Sequence, residues 1–112
     1  MARALCDILP AMNRAERIDL SIVIPVYNEG ENLEDLYQEI NAACGRLQKS
    51  CEIIFIDDGS TDNSMAVLRG IHGRDPKVKI IRFRKNFGQT PALSAGFDYA
   101  RGDIIITLDA DL

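Results

Sequence analysis

The sequence contains no apolar run close to the roughly 20 residues that span a bilayer, and its opening residues lack the long apolar core of a signal peptide. A chain made and kept in the cytosol is therefore expected. Tryptophan is absent, and there are only one histidine and three cysteines. Cys6, Cys44 and Cys51 include no Cys-x-x-Cys pair, and with His72 as the sole histidine the spacing argues against a zinc site. The thiols read as buried or idle, and His72 as a surface or capping residue. Positive charge is also in short supply. With 13 Lys and Arg against 17 Asp and Glu, the formal net charge is −4, which provides no field to gather nucleic acid.

Three ligand-binding signatures are missing as well. No Gly-x-Gly-x-x-Gly follows the first apolar stretch, which argues against a dinucleotide-binding Rossmann unit, and no Gly-x-x-x-x-Gly-Lys-Ser/Thr marks a P-loop. The acidic stretch 57–62 has its glycine too early for an EF-hand and no glutamate at the twelfth place.

What is present is a strong alternation. The 112 residues, 46% of them hydrophobic, suit one domain with a real core. Residues 1–19 read as an amphipathic or disordered leader, with Leu5, Ile8, Leu9 and Met12 at helical spacing around Pro10. Residues 20–26 read as a strand apolar on both faces, ending at Pro25, and a turn at Tyr27, Asn28, Glu29 and Gly30 leads into a helix. In that helix Leu33, Leu36, Tyr37, Ile40, Ala43 and Leu47 recur every three or four residues. A second strand is expected over 52–57, and then a helix through Met65, Leu68 and Ile71, capped by Ser60 or Thr61 and ending near Gly70 or Gly73. A third strand is expected over 78–83, a helix with Pro91 in its first turn and Gly102 as its stop, and a buried strand over 103–111.

Strand and helix alternating in this way force a parallel sheet with right-handed crossovers. In such sheets ligands sit beyond the carboxyl ends of the strands. The polar clusters of this sequence fall at four strand ends, so four loops converge on one edge. Asp109 and Asp111, two apart on a strand, should face the same way, and paired carboxylates are comfortable mainly around a cation. The plainer reading is a pair of solvated acids at a turn. Asp58 suits ribose or base hydroxyls and amines, Tyr27 a nucleobase, and Arg84 or Lys85 a phosphate; as plain surface features these would be a rim residue and a solvated charge pair. A response-regulator receiver also gathers acids at strand ends, but it would need its phosphate acceptor where Phe83 and Arg84 stand.

The motifs Pro25-Val26-Tyr27-Asn28-Glu29, Asp57-Asp58-Gly59-Ser60-Thr61-Asp62, Asn86-x-Gly88 and Asp109-Ala110-Asp111-Leu112 resemble the nucleotide-diphospho-sugar glycosyltransferases of the GT-A fold. Residues 82–95 and the wording around Asp109 look like the branch of dolichyl-phosphate mannose synthases and bacterial polyprenyl-phosphate glycosyltransferases. The resemblance implies a three-layer α/β fold, a mostly parallel sheet with helices on both faces, of which residues 20–112 would be the donor-nucleotide half. It implies that Pro25, Tyr27, Glu29, Ile56 and Asp58 surround the nucleoside of a GDP- or UDP-sugar. Asp109, Ala110 and Asp111 would form the Asp-x-Asp that holds Mg²⁺ or Mn²⁺ against the diphosphate, with Asp109 and Asp111 as metal ligands.

The implied reaction is inverting transfer to a dolichyl or undecaprenyl phosphate at the cytoplasmic face of a membrane. Membrane contact would come through a second half that follows residue 112 in the family. On this reading the chain is an N-terminal fragment, inactive alone. Two alternatives stand beside it: transfer to a polysaccharide or soluble acceptor, and a non-catalytic nucleotide-binding module.

Overall fold

The computed structural model describes residues 17–111. β1 (Leu20–Val26), α1 (Gly30–Leu47), β2 (Cys51–Asp57), α2 (Ser64–Arg74), β3 (Val78–Arg82), α3 (Gln89–Tyr99) and β4 (Ile104–Thr107) follow one another. The strands form one parallel sheet in the order β3-β2-β1-β4, as the alternation predicts. Most of the expected leader, with Cys6, lies outside the described residues. Its last residues already belong to the sheet: the Ile18 and Asp19 carbonyls accept from the Asp103 and Ile104 N–H groups, each at 3.0 Å.

β1 and β2 are apolar on both faces because both faces are covered. On one side Leu33, Leu36, Tyr37, Ile40 and Cys44 of α1, with Leu68 and Ile71 of α2, pack over Ile24, Ile53 and Phe55. On the other, Ala92 of α3 closes on Val23, Ile54 and Ile56. Each aliphatic side chain taken fully out of water stabilises the fold by about 1.5–3 kcal/mol. α3 comes very close to the sheet. A Cβ on Gly96 would fall 2.3 Å from Val23 Cγ1 and 2.9 Å from Ile56 Cδ1, so only glycine fits there.

Several expectations need correction. β4 ends at Thr107 and is not buried: Ile104 is 59% exposed, Ile106 39% and Leu108 37%. It occupies the edge of the sheet, and among the described residues these side chains have no helix over them, whereas Ile105 packs toward α3. α2 begins at Ser64 after Asn63, not after Ser60 or Thr61, and it runs through both Gly70 and Gly73 to Arg74. It stops where the Asp75 N–H closes on the Ile71 carbonyl at 3.0 Å and Pro76 follows.

Cys44 and Cys51 are buried free thiols, as expected. Burial, and then the neighbouring Cys44 thiol, push the Cys51 thiol up to about 12, which makes it unreactive. His72 is exposed near the end of α2, and its Nδ1 lies 2.6 Å from the Val78 carbonyl oxygen. A carbonyl only accepts, so Nδ1 carries the proton, and the ring fastens the turn into β3.

Candidate active site

β1 pairs with β2 on one side and with β4 on the other. The chain thus leaves β1 in one direction and later returns on the opposite side. Loops diverge at such a switch point and leave a crevice beyond the strand ends. A pocket of about 300 Å³ fills that crevice. Pro25, Val26, Tyr27 and Glu29 line it from the β1 end, and Asp109, Ala110 and Asp111 from beyond β4. Asp58, Asn86, Gly88 and Gln89 complete the wall.

Asp109 and Asp111 do share one pocket, but not through strand alternation. The Leu108 N–H still donates to the Val23 carbonyl at 3.1 Å, and the backbone then leaves the ladder. Ala110 is 4% exposed and joins the main core, while the acids on either side are exposed. A buried methyl anchors the loop between two carboxylates that remain in solvent. Among the described residues neither carboxylate has a hydrogen bond or ion pair.

The other acids at the strand ends are engaged within the protein. Asp57 Oδ1 accepts from the Ser60 N–H at 3.3 Å, a local turn that shapes the β2–α2 loop. Asn28 stands in the left-handed region at φ 53°, where asparagine is tolerated. Its Oδ1 accepts from the Thr61 and Asp62 N–H groups at 2.8 and 3.1 Å, and its own N–H donates to Ser60 Oγ at 2.9 Å. Ser60 and Thr61 therefore serve the neighbouring loop, which is why they do not cap α2.

Asp62 accepts from the Gly30 N–H at 3.1 Å and the Ser64 N–H at 2.9 Å, so one carboxylate answers the positive ends of α1 and α2. Desolvation opposes its charge, but the bonds from Ser64 and Gly30 prevail and hold its pKa below the usual carboxylate range. Glu29 accepts from Asn32 Nδ2 at 3.2 Å.

Asp58 is 4% exposed and faces the other neighbour. Oδ1 accepts from the Phe87 N–H at 2.8 Å, and Oδ2 from the Gly88 N–H at 3.0 Å and from Asn86 Nδ2 at 3.1 Å. The remaining site candidates lie elsewhere. Ile56 has no exposed surface and belongs to the core beneath α3, not to the pocket lining. Arg84 and Lys85 are exposed outside that lining, and the Lys85 ammonium sits 5.2 Å from the Phe87 ring centre. Gln89 was not legible as a site residue; its only signal was its place directly after the Asn86-x-Gly88 turn.

The donor set can be weighed for a cation. Among the described residues no three His, Cys, Asp or Glu side chains are grouped to hold a metal. Two unengaged carboxylates fit a hard ion of the Mg²⁺ or Mn²⁺ kind, which is bound through one or two carboxylates and completed by substrate phosphates and water. No helix among the described residues is long and apolar enough to cross a membrane.

With the geometry established, the chain can be compared with known proteins. It is 49% identical over 94 residues to an undecaprenyl-phosphate 4-deoxy-4-formamido-L-arabinose transferase of Pseudomonas fluorescens, covering 83% of this chain and 28% of the relative. It is 43% identical over 98 residues to the glycosyltransferase YkcC of Bacillus subtilis, covering 88% of this chain and 30% of that protein. The chain thus spans less than a third of the length of these curated relatives.

Among solved structures, the mannosyltransferase PcManGT of Pyrobaculum calidifontis, in complex with GDP-Man and Mn²⁺, superposes with a TM-score of 0.74 at 24% identity, over 90% of this chain and 30% of that one. TarS of S. aureus follows with a TM-score of 0.68 at 19% identity, over 84% of this chain and 28% of that one. The fold is the N-terminal part of a GT-A glycosyltransferase. Residues 21–112 match the model of glycosyl transferase family 2, and the chain belongs to that family.

Proposed function

We propose that this chain supplies the donor site of a glycosyltransferase that moves a sugar from a nucleotide-diphosphate sugar to a polyprenyl phosphate. The observation that carries the reading is the pair Asp109 and Asp111, unengaged on either side of buried Ala110, in one pocket with Tyr27 and Glu29 at the switch point. The half-exposed ring of Tyr27 offers a face to a nucleobase, Pro25 an apolar contact, and Glu29 an acceptor for ribose or base donors. Asp109 and Asp111 hold Mg²⁺ or Mn²⁺ against the donor diphosphate. Bound there, the ion neutralises the charge that develops on the leaving nucleoside diphosphate.

The acceptor reading draws on the relative named for undecaprenyl phosphate. A phosphate acceptor is already an anion and needs little base activation, and direct displacement inverts the anomeric carbon. The lipid acceptor would place the reaction at the cytoplasmic face of a membrane.

Calorimetric titration of GDP and UDP into the chain, with Mn²⁺ and with EDTA, tests the donor site. Binding should require the ion and be lost in Asp109→Asn and Asp111→Asn. Binding that ignores both the ion and the substitutions would overturn the assignment. Transfer of labelled sugar to undecaprenyl phosphate by the full-length protein tests the acceptor, and transfer to a water-soluble acceptor alone would replace it.

A further inference from the structure

The pocket is unbalanced in its polar groups. Glu29, Asp58, Asp109 and Asp111 line it, and among the described residues no lysine, arginine or histidine does. Side-chain N–H donors come from two amides, Asn86 and Gln89. Asn86 Nδ2 is already committed to Asp58, to its carbonyl oxygen and to Oδ2 at 3.1 Å each. Gln89 is exposed, and among the described residues its side-chain amide has no hydrogen bond.

Gln89 opens α3 and follows directly on Gly88, whose N–H donates to Asp58 Oδ2 at 3.0 Å. The unengaged amide therefore belongs to the turn held by the one buried carboxylate of the wall. Asp58 Oδ1 accepts from the Phe87 N–H, and Oδ2 from the Gly88 N–H and Asn86 Nδ2. A carboxylate offers about four acceptor positions, so one on Oδ1 is left for a ligand, and the ligand group that takes it must donate.

Uracil and guanine answer an acceptor with a ring N–H, and in both the neighbouring ring carbon bears a carbonyl. That carbonyl needs a donor of its own when it leaves water. Adenine has no carbonyl, and in cytosine the carbonyl stands beside a ring nitrogen that only accepts.

We propose that Gln89 is a specificity-determining residue of the donor site. Its side-chain amide donates to the base carbonyl beside the N–H that Asp58 accepts, and so favours a base carrying the two groups side by side. The assignment rests on the donor-site reading given above.

Competition titration of GDP, UDP and ADP with Mn²⁺ present, on wild type, Gln89→Ala and Gln89→Glu, tests this. Both substitutions fall at an exposed position without protein partners among the described residues, so the variants should fold like wild type. Wild type should bind the better of GDP and UDP at least about tenfold more tightly than ADP. Gln89→Ala should weaken that nucleotide by about three- to tenfold, the scale of one hydrogen bond, and leave ADP unchanged. Gln89→Glu sets a second acceptor against the carbonyl and should weaken it further, again without weakening ADP.

A common loss for all three nucleotides would put Gln89 on the ribose or diphosphate and overturn the assignment. Unchanged GDP and UDP affinities in Gln89→Glu would overturn it too. If wild type binds none of the three, the donor-site reading itself fails and the assignment falls with it. If wild type binds them with no preference over ADP, the donor site stands and Gln89 does not read the base.

Discussion

The Tyr37 hydroxyl donates to Asp75 Oδ2 at 2.6 Å and joins α1 to the turn between α2 and β3. Burial disfavours charge on Asp75, but the bonds from Tyr37 and Lys77 prevail and hold its pKa below the usual range. The same bond, and then burial, push Tyr37 up to about 12. The two ends of the pair therefore respond to opposite extremes of pH.

For Asp75 the contribution to stability is complete above the unfolded carboxylate value of about 3.9 and is lost as pH falls below it. For Tyr37 it is complete below about pH 10, the unfolded tyrosine value, and fades as pH rises toward about 12. Tyr37→Phe should cost about 1–3 kcal/mol near neutral pH in urea unfolding. The gap between wild type and variant should narrow at strongly alkaline pH; a gap independent of pH would contradict the assignment.

At the end of the sheet away from the pocket, Glu52 Oε2 accepts from Ser21 Oγ at 2.6 Å and from the Arg101 N–H at 2.7 Å. Its Oε1 is buried without a hydrogen bond, 3.7 Å from the Lys79 ammonium. Glu52→Gln can keep both bonds through the remaining oxygen and should change stability by less than about 1 kcal/mol. Glu52→Ala strands the Arg101 N–H and opens a cavity, at a cost of about 2–4 kcal/mol. Similar denaturant midpoints for the two variants would show that the bonds do not matter.

Stability and binding should part company at Asp109 and Asp111. Both are exposed and without protein partners among the described residues, so neutralising either changes stability by no more than about 0.5 kcal/mol. Melting curves without metal should coincide with wild type. With Mn²⁺ and GDP present, wild type should melt higher and the variants should not. An equal upward shift in Asp109→Asn would remove that residue from the proposed metal site.

Gly96→Ala sets two effects against each other. Alanine gains roughly 1 kcal/mol of helix propensity, but its methyl would overlap Val23 Cγ1 at 2.3 Å and Ile56 Cδ1 at 2.9 Å. Overpacking of that kind costs about 1–3 kcal/mol, so net destabilisation and a lower melting temperature are expected. Gly70→Ala, with nothing within 4 Å of its Cβ, is the control and should stabilise α2 slightly.

The apolar runs 20–26 and 52–57 announced central strands because composition alone says that both faces are covered. Boundaries were harder wherever a distant partner decides them. Ser60 and Thr61 look like caps until Asn28, 32 and 33 positions earlier, claims them. Asp58 and Asp62 belong to one acidic stretch in the sequence, but they bond to loops on opposite sides. The apolar run at 104–107 signals burial, yet exposure is set by strand order, which residues two apart do not encode. Asp109 and Asp111 stand out in the sequence by their spacing, although a loop anchored by buried Ala110, and not strand alternation, brings both to the pocket.

The placement of β4 also bears on how the molecule assembles. β1 and β2 are joined by one helix, whereas β4 must find β1 after two further strands and all three helices have been threaded, with Leu20 opposite Ile104. Closure over so long a loop is slow, and partners of high sequence separation pair late. In pulse-labelled exchange during refolding, the amides of β2 should gain protection before those of β4. The pocket, which needs the loop beyond β4 beside β1, would then form last, and a donor bound as proposed above would select molecules in which β4 has docked.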